Sequence, residues 1–139
     1  MQISIPTSFN HELLNALQNA FHYENTRMQI LSNLETQAQD ESSIHTIAIS
    51  FTSLTHDTED PTWGNAIRAT EDLAQVAQKF IRDYITKQLK NHDKWHITTS
   101  DNGYQNLITG YGYPNKATDY ASILITDSTL YITYIQYPQ

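Results

Sequence analysis

Residues 60–91 read DPTWGNAIRATEDLAQVAQKFIRDYITKQLKN and carry the longest helical period in the sequence. Apolar side chains recur there at steps of three and four residues, which places them on one stripe of an α-helix. Asp60 can cap the start of this helix, and Pro61 suits its first position because proline has no amide to leave unpaired. The stretch therefore predicts one long amphipathic helix. Its apolar stripe consists of Ala66, Ala69, Leu73, Val76, Ala77, Phe80 and Tyr84.

After Asn91 the apolar period changes from three or four residues to two, which is typical of β-strands. Asp101, Asn102 and Gly103 indicate a tight turn, because asparagine and glycine tolerate positive φ. The remainder of the chain predicts a meander of four strands. Its predicted segments are a strand over residues 95–100, a strand over residues 104–109, a loop over residues 110–116, and a second hairpin whose strands, residues 120–126 and 129–137, meet at residues 127–128.

The part of the chain before the long helix is predicted to contain helix first and strand second. Ser8 is placed to cap a helix whose apolar stripe includes Phe9, Leu13 and Leu17. The helical period weakens over residues 22–27 and resumes with Met28, Leu31, Leu34 and Ala38, so we expect either one bent helix or two helices between residues 8 and 40. Residues 2–5 alternate and can form a short edge strand. Residues 44–54 predict the first long strand, with Ile47, Ile49 and Phe51 on one face.

These segments predict a single α+β domain over residues 1–139, with a largely antiparallel sheet packed against the long helix and an N-terminal helical segment. Both faces of the last two strands are apolar, and one of them is rich in tyrosine. We expect the N-terminal helix, a second subunit or a partner protein to cover that face. Its residues are Tyr120, Leu124, Tyr131, Ile135 and Tyr137.

Composition excludes several classes of protein. The chain has 15 acidic and 8 basic residues, and its net charge of −7 argues against a general nucleic-acid binder, which needs cations to replace counterions. It contains no Cys, so disulfides, thiolate metal sites and cysteine nucleophiles are excluded. No apolar run approaches the ~20 residues that span a bilayer, and the first residues do not resemble a signal peptide. We expect a cytoplasmic protein that binds neither membranes nor nucleic acid.

Histidine and glycine motifs give three candidate sites, each of which has an ordinary structural explanation. His92 and His96 have the spacing of two metal ligands on a helix, but the period of two around His96 predicts a strand instead. His96 and Thr98 would point to the same side of that strand, as in two-histidine phosphoesterases, but no good second copy of the motif exists. Gly110 and the glycine two residues later lack the lysine of a phosphate-binding loop. The sequence therefore predicts no metal, no cofactor and no complete catalytic set.

The distribution of acidic residues and tyrosines suggests a binding function. No Lys or Arg occurs between Arg27 and Arg68, while acids cluster there, and most of the 9 Tyr residues lie in the C-terminal strands. Tyrosine gives large contact area at interfaces, and an acidic surface accelerates association with a basic partner. We therefore expect a non-enzymatic inhibitor of a basic toxin or nuclease-like protein, of the immunity, antitoxin or anti-defence type. The alternative is a homo-oligomeric or small-molecule-binding domain. The predicted contacts are Asp57, Glu59, Asp60, Trp63, Tyr111 and Tyr113.

Overall fold

The computed structural model describes residues 8–54, 62–89, 96–102, 105–112 and 116–138, without the side chains of residues 62–65. The predicted α+β fold is confirmed, because two helices pack against one antiparallel sheet of six strands. The predicted strand over residues 2–5 lies outside the described residues. The elements are α1 (Phe9–Ala20), β1 (Thr26–Gln37), β2 (Ser43–Ser53), α2 (Thr62–Leu89), β3 (His96–Asp101), β4 (Gln105–Gly112), β5 (Lys116–Thr126) and β6 (Thr129–Gln136).

The long helix predicted over residues 60–91 is present as α2, and its predicted stripe faces the core. The predicted cap Asp60 and Pro61 lie outside the described residues. Towards its C-terminal end the stripe continues through Ile81, Ile85 and Leu89, each of which is fully buried. A helix with such a stripe gains most of its stability from packing rather than from helix propensity.

The second helical segment predicted from Met28 to Ala38 is wrong, because these residues form strand β1. The strand pairs antiparallel with β2 along its whole length, and a β-bulge lies between Ile30 and Ser32. A bulge inserts one extra residue, here Leu31, and so changes which side of the strand the following residues face. Met28 and Leu34 therefore face opposite sides of the sheet, although their spacing resembles the apolar stripe of a helix.

The sheet has the strand order β1-β2-β6-β5-β4-β3, and every neighbouring pair is antiparallel. Strands β3 to β6 form the predicted meander, and its second hairpin turns at Asp127, whose φ of 54° suits a short polar side chain. Because β2 and β3 lie at nonadjacent positions, α2 crosses the sheet from one side to the other. Strands β1 and β3 are the two edges.

Both helices pack on the same face of the sheet, so the N-terminal helix extends the layer formed by α2. Phe9, Leu13 and Leu17 of α1 join the core that α2 and the sheet enclose. The predicted cap is confirmed, since the Ser8 hydroxyl accepts a hydrogen bond from the His11 amide at 3.1 Å. The buried Asn10 side chain ties α1 to the sheet by donating to Asn33 Oδ1 at 2.6 Å and to the carbonyl of Leu34 at 3.1 Å.

Gly110 lies within strand β4, so the prediction of a loop over residues 110–116 is wrong for residues 110–112, and it is also wrong for Lys116, the first residue of β5. Residues 113–115 lie outside the described residues. A Cβ atom at Gly110 would lie 2.7 Å from Ile85 Cγ2 and 3.0 Å from Leu89 Cδ1. Real side chains do not pack so closely, and overpacking a core is destabilising. Glycine is therefore required because α2 approaches the sheet closely here, and no turn is involved.

Neither described helix packs on the other face of the sheet, which we call the open face. The predicted apolar side of β5 and β6 (Ala121, Ile123, Ile125, Leu130, Ile132 and Tyr134) faces the helices, with Ile125 only partly buried, which confirms that part of the prediction. Side chains alternate between the two faces along each strand, so the register of the strand pairs identifies the residues of the open face. On the four inner strands they are Ile44, Thr46, Ala48, Ser50, Gln105, Leu107, Thr109, Tyr111, Tyr120, Ser122, Leu124, Thr126, Thr129, Tyr131, Thr133 and Ile135.

Candidate functional site

The residues predicted as contacts are only partly described. Asp57, Glu59, Asp60 and Tyr113 lie outside the described residues. Trp63 lies in the first turn of α2, but its side chain is also outside the description. Of the six predicted contacts, Tyr111 alone has a described side chain; it lies on β4, half-buried, and contributes to the open face. The predicted site therefore meets the described surface at Tyr111.

His96 stacks on Tyr111 across the β3–β4 ladder, with 4.9 Å between ring centroids and 16° between ring planes. His96 belongs to a strand, so the helical pair with His92 that a metal site would need does not form. Thr98 lies on the same face as His96, as predicted, and both side chains are exposed. His45 lies on the opposite face of the sheet and cannot join them. His56, which is followed two residues later by Thr58 and so gives a second, poor copy of the motif, lies outside the described residues.

The open face has no Asp, Glu or Lys among its described residues, although the chain as a whole has 15 acidic and 8 basic residues. Its one Arg is Arg27, on the edge strand β1. Large apolar side chains occur at its centre and margin, and Tyr131 and Leu34 remain 43% and 58% exposed. Exposed apolar side chains that are grouped on one face can mark an interaction site. This surface is the strongest candidate for a contact with another macromolecule.

Acidic residues lie at the ends of the strands that form the open face. Asp40 and Glu41 occupy the turn between β1 and β2, and both side chains are exposed. Asp127, which is also exposed, lies in the turn between β5 and β6 at the opposite end of the sheet. In Asp40, hydrogen bonds from Ser42 lower the pKa of the carboxyl below its ordinary value. An uncharged centre with charges around it is the usual anatomy of a protein–protein interface.

A row of polar residues lies on the helix side of the sheet, and its members come from strands β1, β2, β6 and β5. His45 Nδ1 lies 3.5 Å from Glu35 Oε1, and the His45 ring stacks on Tyr134 with 5.6 Å between centroids. The Tyr134 hydroxyl donates a hydrogen bond to Asp119 Oδ1, and both residues are fully buried. Sequence reasoning did not identify this row. A signal existed, since His45 and Asp119 have the same parity as the buried residues of β2 and β5.

Burial changes the ionisation of this row. It lowers the pKa of the His45 imidazole, and the Glu35 carboxylate opposes that change more weakly. In Tyr134, burial and then the charge of Asp119 raise the pKa of the hydroxyl, so it stays protonated and can donate. Neither the groove between α2 and strands β3 to β5 nor the pocket beside Asp40 and Lys116 includes these four residues. The arrangement fits a polar network that joins strands better than a catalytic site with access for a substrate.

We expect stability to fall below pH 6.5 because of His45. In the unfolded chain this imidazole takes up a proton near its ordinary pKa of about 6.5, whereas in the folded chain it does so only at lower pH. Between these values the unfolded state binds more protons, so the free energy of unfolding decreases as pH falls. Urea titrations at several pH values should show a smaller decrease in His45→Gln than in the wild type. His11→Gln, an exposed change on α1, is the control. An equal slope in His45→Gln and wild type would contradict this prediction.

A polar groove of about 770 Å³ lies between α2 and the corner of the sheet formed by β3, β4 and β5. Lys79 and Arg82 line it on the helix, and Asp101 and Asn106 line it on the sheet. Charges of both signs line it, so the groove does not select a cation or an anion by charge alone. Among the described residues, no group of three His, Asp or Glu side chains could hold a metal ion.

Comparison with known proteins gives no relative from which a function could be inferred. No family model, no curated protein and no solved structure matches this chain. Within the described residues, neither helix is both long and apolar enough to cross a membrane. Any functional conclusion therefore depends on the surfaces described above.

Proposed function

We propose that this chain is a non-enzymatic inhibitor that binds a basic protein, such as a toxin or nuclease, through the open face. The observation that supports the proposal is the combination of a tyrosine-containing surface, whose described residues include no Asp, Glu or Lys, with exposed carboxylates at the ends of its strands. Immunity proteins, antitoxins and anti-defence proteins are the classes of inhibitor with this role.

Charge supports a basic partner in preference to an acidic one. The chain carries a net charge of −7, so its field attracts a cationic protein and raises the rate of encounter. Exposed Asp40, Glu41 and Asp127 would form ion pairs at the rim of the interface, where they affect association rate more than affinity. Addition of salt should therefore slow association, because the Debye length falls to about 8 Å at physiological ionic strength.

Affinity would come from the centre of the open face. Tyr131 is the most exposed tyrosine of that face, at 43%, and it lies beside Leu124 in the β5–β6 ladder. Tyrosines at interface centres are frequent hot spots, and truncation of one typically costs 2 kcal/mol or more. We therefore expect Tyr131→Ala to weaken partner binding by a factor of about 30.

The test is affinity capture with the wild type, Tyr131→Ala and the control Gln75→Ala, whose position is exposed on α2. We expect the wild type and the control to retain the same basic protein and Tyr131→Ala to lose it. Addition of one equivalent of the wild type should then abolish the activity of the purified partner. Equal retention by Tyr131→Ala, or a bound partner that stays fully active, would contradict the proposal.

A further inference from the structure

We infer that the free protein forms a symmetric dimer in which the open faces of two copies pack against each other. The dimer would cover the surface that was proposed above for the basic partner, and in that respect the inference rests on the proposed function. The side-chain relief, the charge and the size of the open face each favour such a dimer.

Large side chains form two parallel ridges across the open face. In the first ridge, Tyr120 of β5 lies beside Ile135 of β6, which lies beside Ile44 of β2. In the second ridge, Leu124 of β5 lies beside Tyr131 of β6. The ridges run perpendicular to the strands and lie four residues apart along β5.

Small hydroxyl side chains form two furrows beside these ridges. The inner furrow lies between the ridges, and the outer furrow lies beyond the second ridge. The inner furrow consists of Ser122, Thr133 and Thr46, and the outer furrow of Thr126, Thr129 and Ser50. Leu107 of β4 and Leu34 of β1 close the two ends of the inner furrow.

The open faces of two copies are complementary in shape. A two-fold axis parallel to the ridges, midway between the inner furrow and the second ridge, places the second ridge of each copy over the inner furrow of the other. The same rotation places each first ridge over an outer furrow. On β5 and β6 large side chains thus meet small ones, as the packing of two sheets about 10 Å apart requires, whereas on β2 the small Ala48 would meet Thr46. For example, Tyr131 would contact Thr133 of the second copy.

Charge also favours a second copy on this face. Two copies that each carry −7 repel one another, and any contact that brings carboxylates together increases that repulsion. The described part of the open face has no carboxylate, whereas the exposed surface of α2 carries Glu71, Asp72 and Asp83. The open face is therefore the described surface on which self-association meets the least electrostatic opposition.

The size of the face is sufficient for a stable contact. Six strands at about 4.8 Å spacing, with about eight residues each, cover roughly 25 Å by 25 Å, which is on the order of 600 Å² in projection. A standard interface buries about 800 Å² of accessible surface on each partner, and accessible surface exceeds projected area because it follows the side-chain relief. The open face thus matches the size of an ordinary dimer interface.

A dimer of this kind would regulate inhibition. The basic partner and the second copy would compete for the same surface, so the apparent affinity for the partner would decrease as the concentration of the inhibitor chain rises. Dilution or an excess of partner would release the monomer.

The first test is the mass of the purified chain, measured by sedimentation equilibrium over a wide range of concentration. We expect a dimer for the wild type. Thr133→Glu should weaken the dimer at least a hundredfold, because each dimer would bury two carboxylates without partners. The control Gln75→Glu adds the same charge at an exposed position on α2 and should remain dimeric. Circular dichroism establishes that each variant is folded.

A second test does not require Thr133→Glu to fold. The chain has no Cys, so Thr133→Cys carries a single thiol that a short bismaleimide can join to the same thiol in a second copy. Thr133→Cys should cross-link efficiently and Gln75→Cys should not. A wild type that is monomeric at every concentration, a folded Thr133→Glu that dimerises as well as Gln75→Glu, or equal cross-linking of the two cysteine variants would overturn the inference.

These measurements use the chain alone and so separate the two proposals. A monomer that still inhibits a basic protein would overturn the dimer and leave the proposed function intact. A dimer whose captured partner retains full activity would overturn the proposed function and leave the dimer intact.

Discussion

Replacement of Phe9 by alanine is expected to lower the free energy of unfolding by about 3–5 kcal/mol, the usual loss for a large aromatic residue in a core. The Phe9 ring is 2% exposed and has four aromatic neighbours. Its centroid lies 4.5 Å from that of Tyr134, 5.1 Å from Tyr84, 5.3 Å from His45 and 5.9 Å from Phe80. Truncation would leave a cavity where α1, α2 and the sheet meet.

Urea unfolding measures this loss, and limited proteolysis tests its location. We expect α1 of Phe9→Ala to be cleaved faster than that of the wild type, because Phe9 holds the start of α1 against α2. Leu31→Ala is the control; Leu31 is 53% exposed at the β1 bulge, and its truncation should change stability by less than about 0.5 kcal/mol. A loss below 1 kcal/mol in Phe9→Ala would show that the cluster does not anchor α1.

The elements with a regular apolar period were predictable from sequence. The α2 stripe and the alternation in β2, β5 and β6 identified the main core residues, because each of these elements buries one continuous face. Strand β1 was not predictable in this way. Its bulge at Leu31 interrupts the alternation, and its position at the edge of the sheet leaves apolar residues such as Leu34 exposed. Tertiary pairing with β2, and not local pattern, determines this strand.

The candidate surface was predictable in part. Alternation along β5 and β6 predicted their tyrosine-rich face. Whether the N-terminal helix covers that face depends on how α1 packs, which alternation does not determine. That packing is set by long-range contacts such as Asn10 to Asn33, which no local period reveals. The same limit applies to Gly110, whose glycine signal suggested a loop, although its cause is the approach of Ile85 from α2.

Tyr134→Phe is expected to lower the free energy of unfolding by about 2–3 kcal/mol, although it removes a single oxygen atom. The Tyr134 hydroxyl donates to Asp119 Oδ1 in a fully buried site. Hydrogen bonds to charged groups contribute about 1.5–3 kcal/mol, and a buried carboxylate that loses a donor retains its desolvation cost. The tyrosine ring of the wild type and the phenylalanine ring of the variant have the same shape. Packing therefore contributes little to the difference in their free energies of unfolding.

A double-mutant cycle with Asp119→Ala, which removes the acceptor, assigns this loss to the hydrogen bond. If Tyr134 stabilises the fold mainly by donating to Asp119, the two single changes should be strongly non-additive, with a coupling free energy above about 1.5 kcal/mol. Tyr131→Phe, at a position that is 43% exposed, should be nearly neutral when measured at low protein concentration. Additive losses would mean that Tyr134 acts through ring packing alone. Strong coupling would identify the Tyr134–Asp119 pair as the polar link that joins β5 to β6 beneath α2, on the side of the sheet opposite the proposed binding surface.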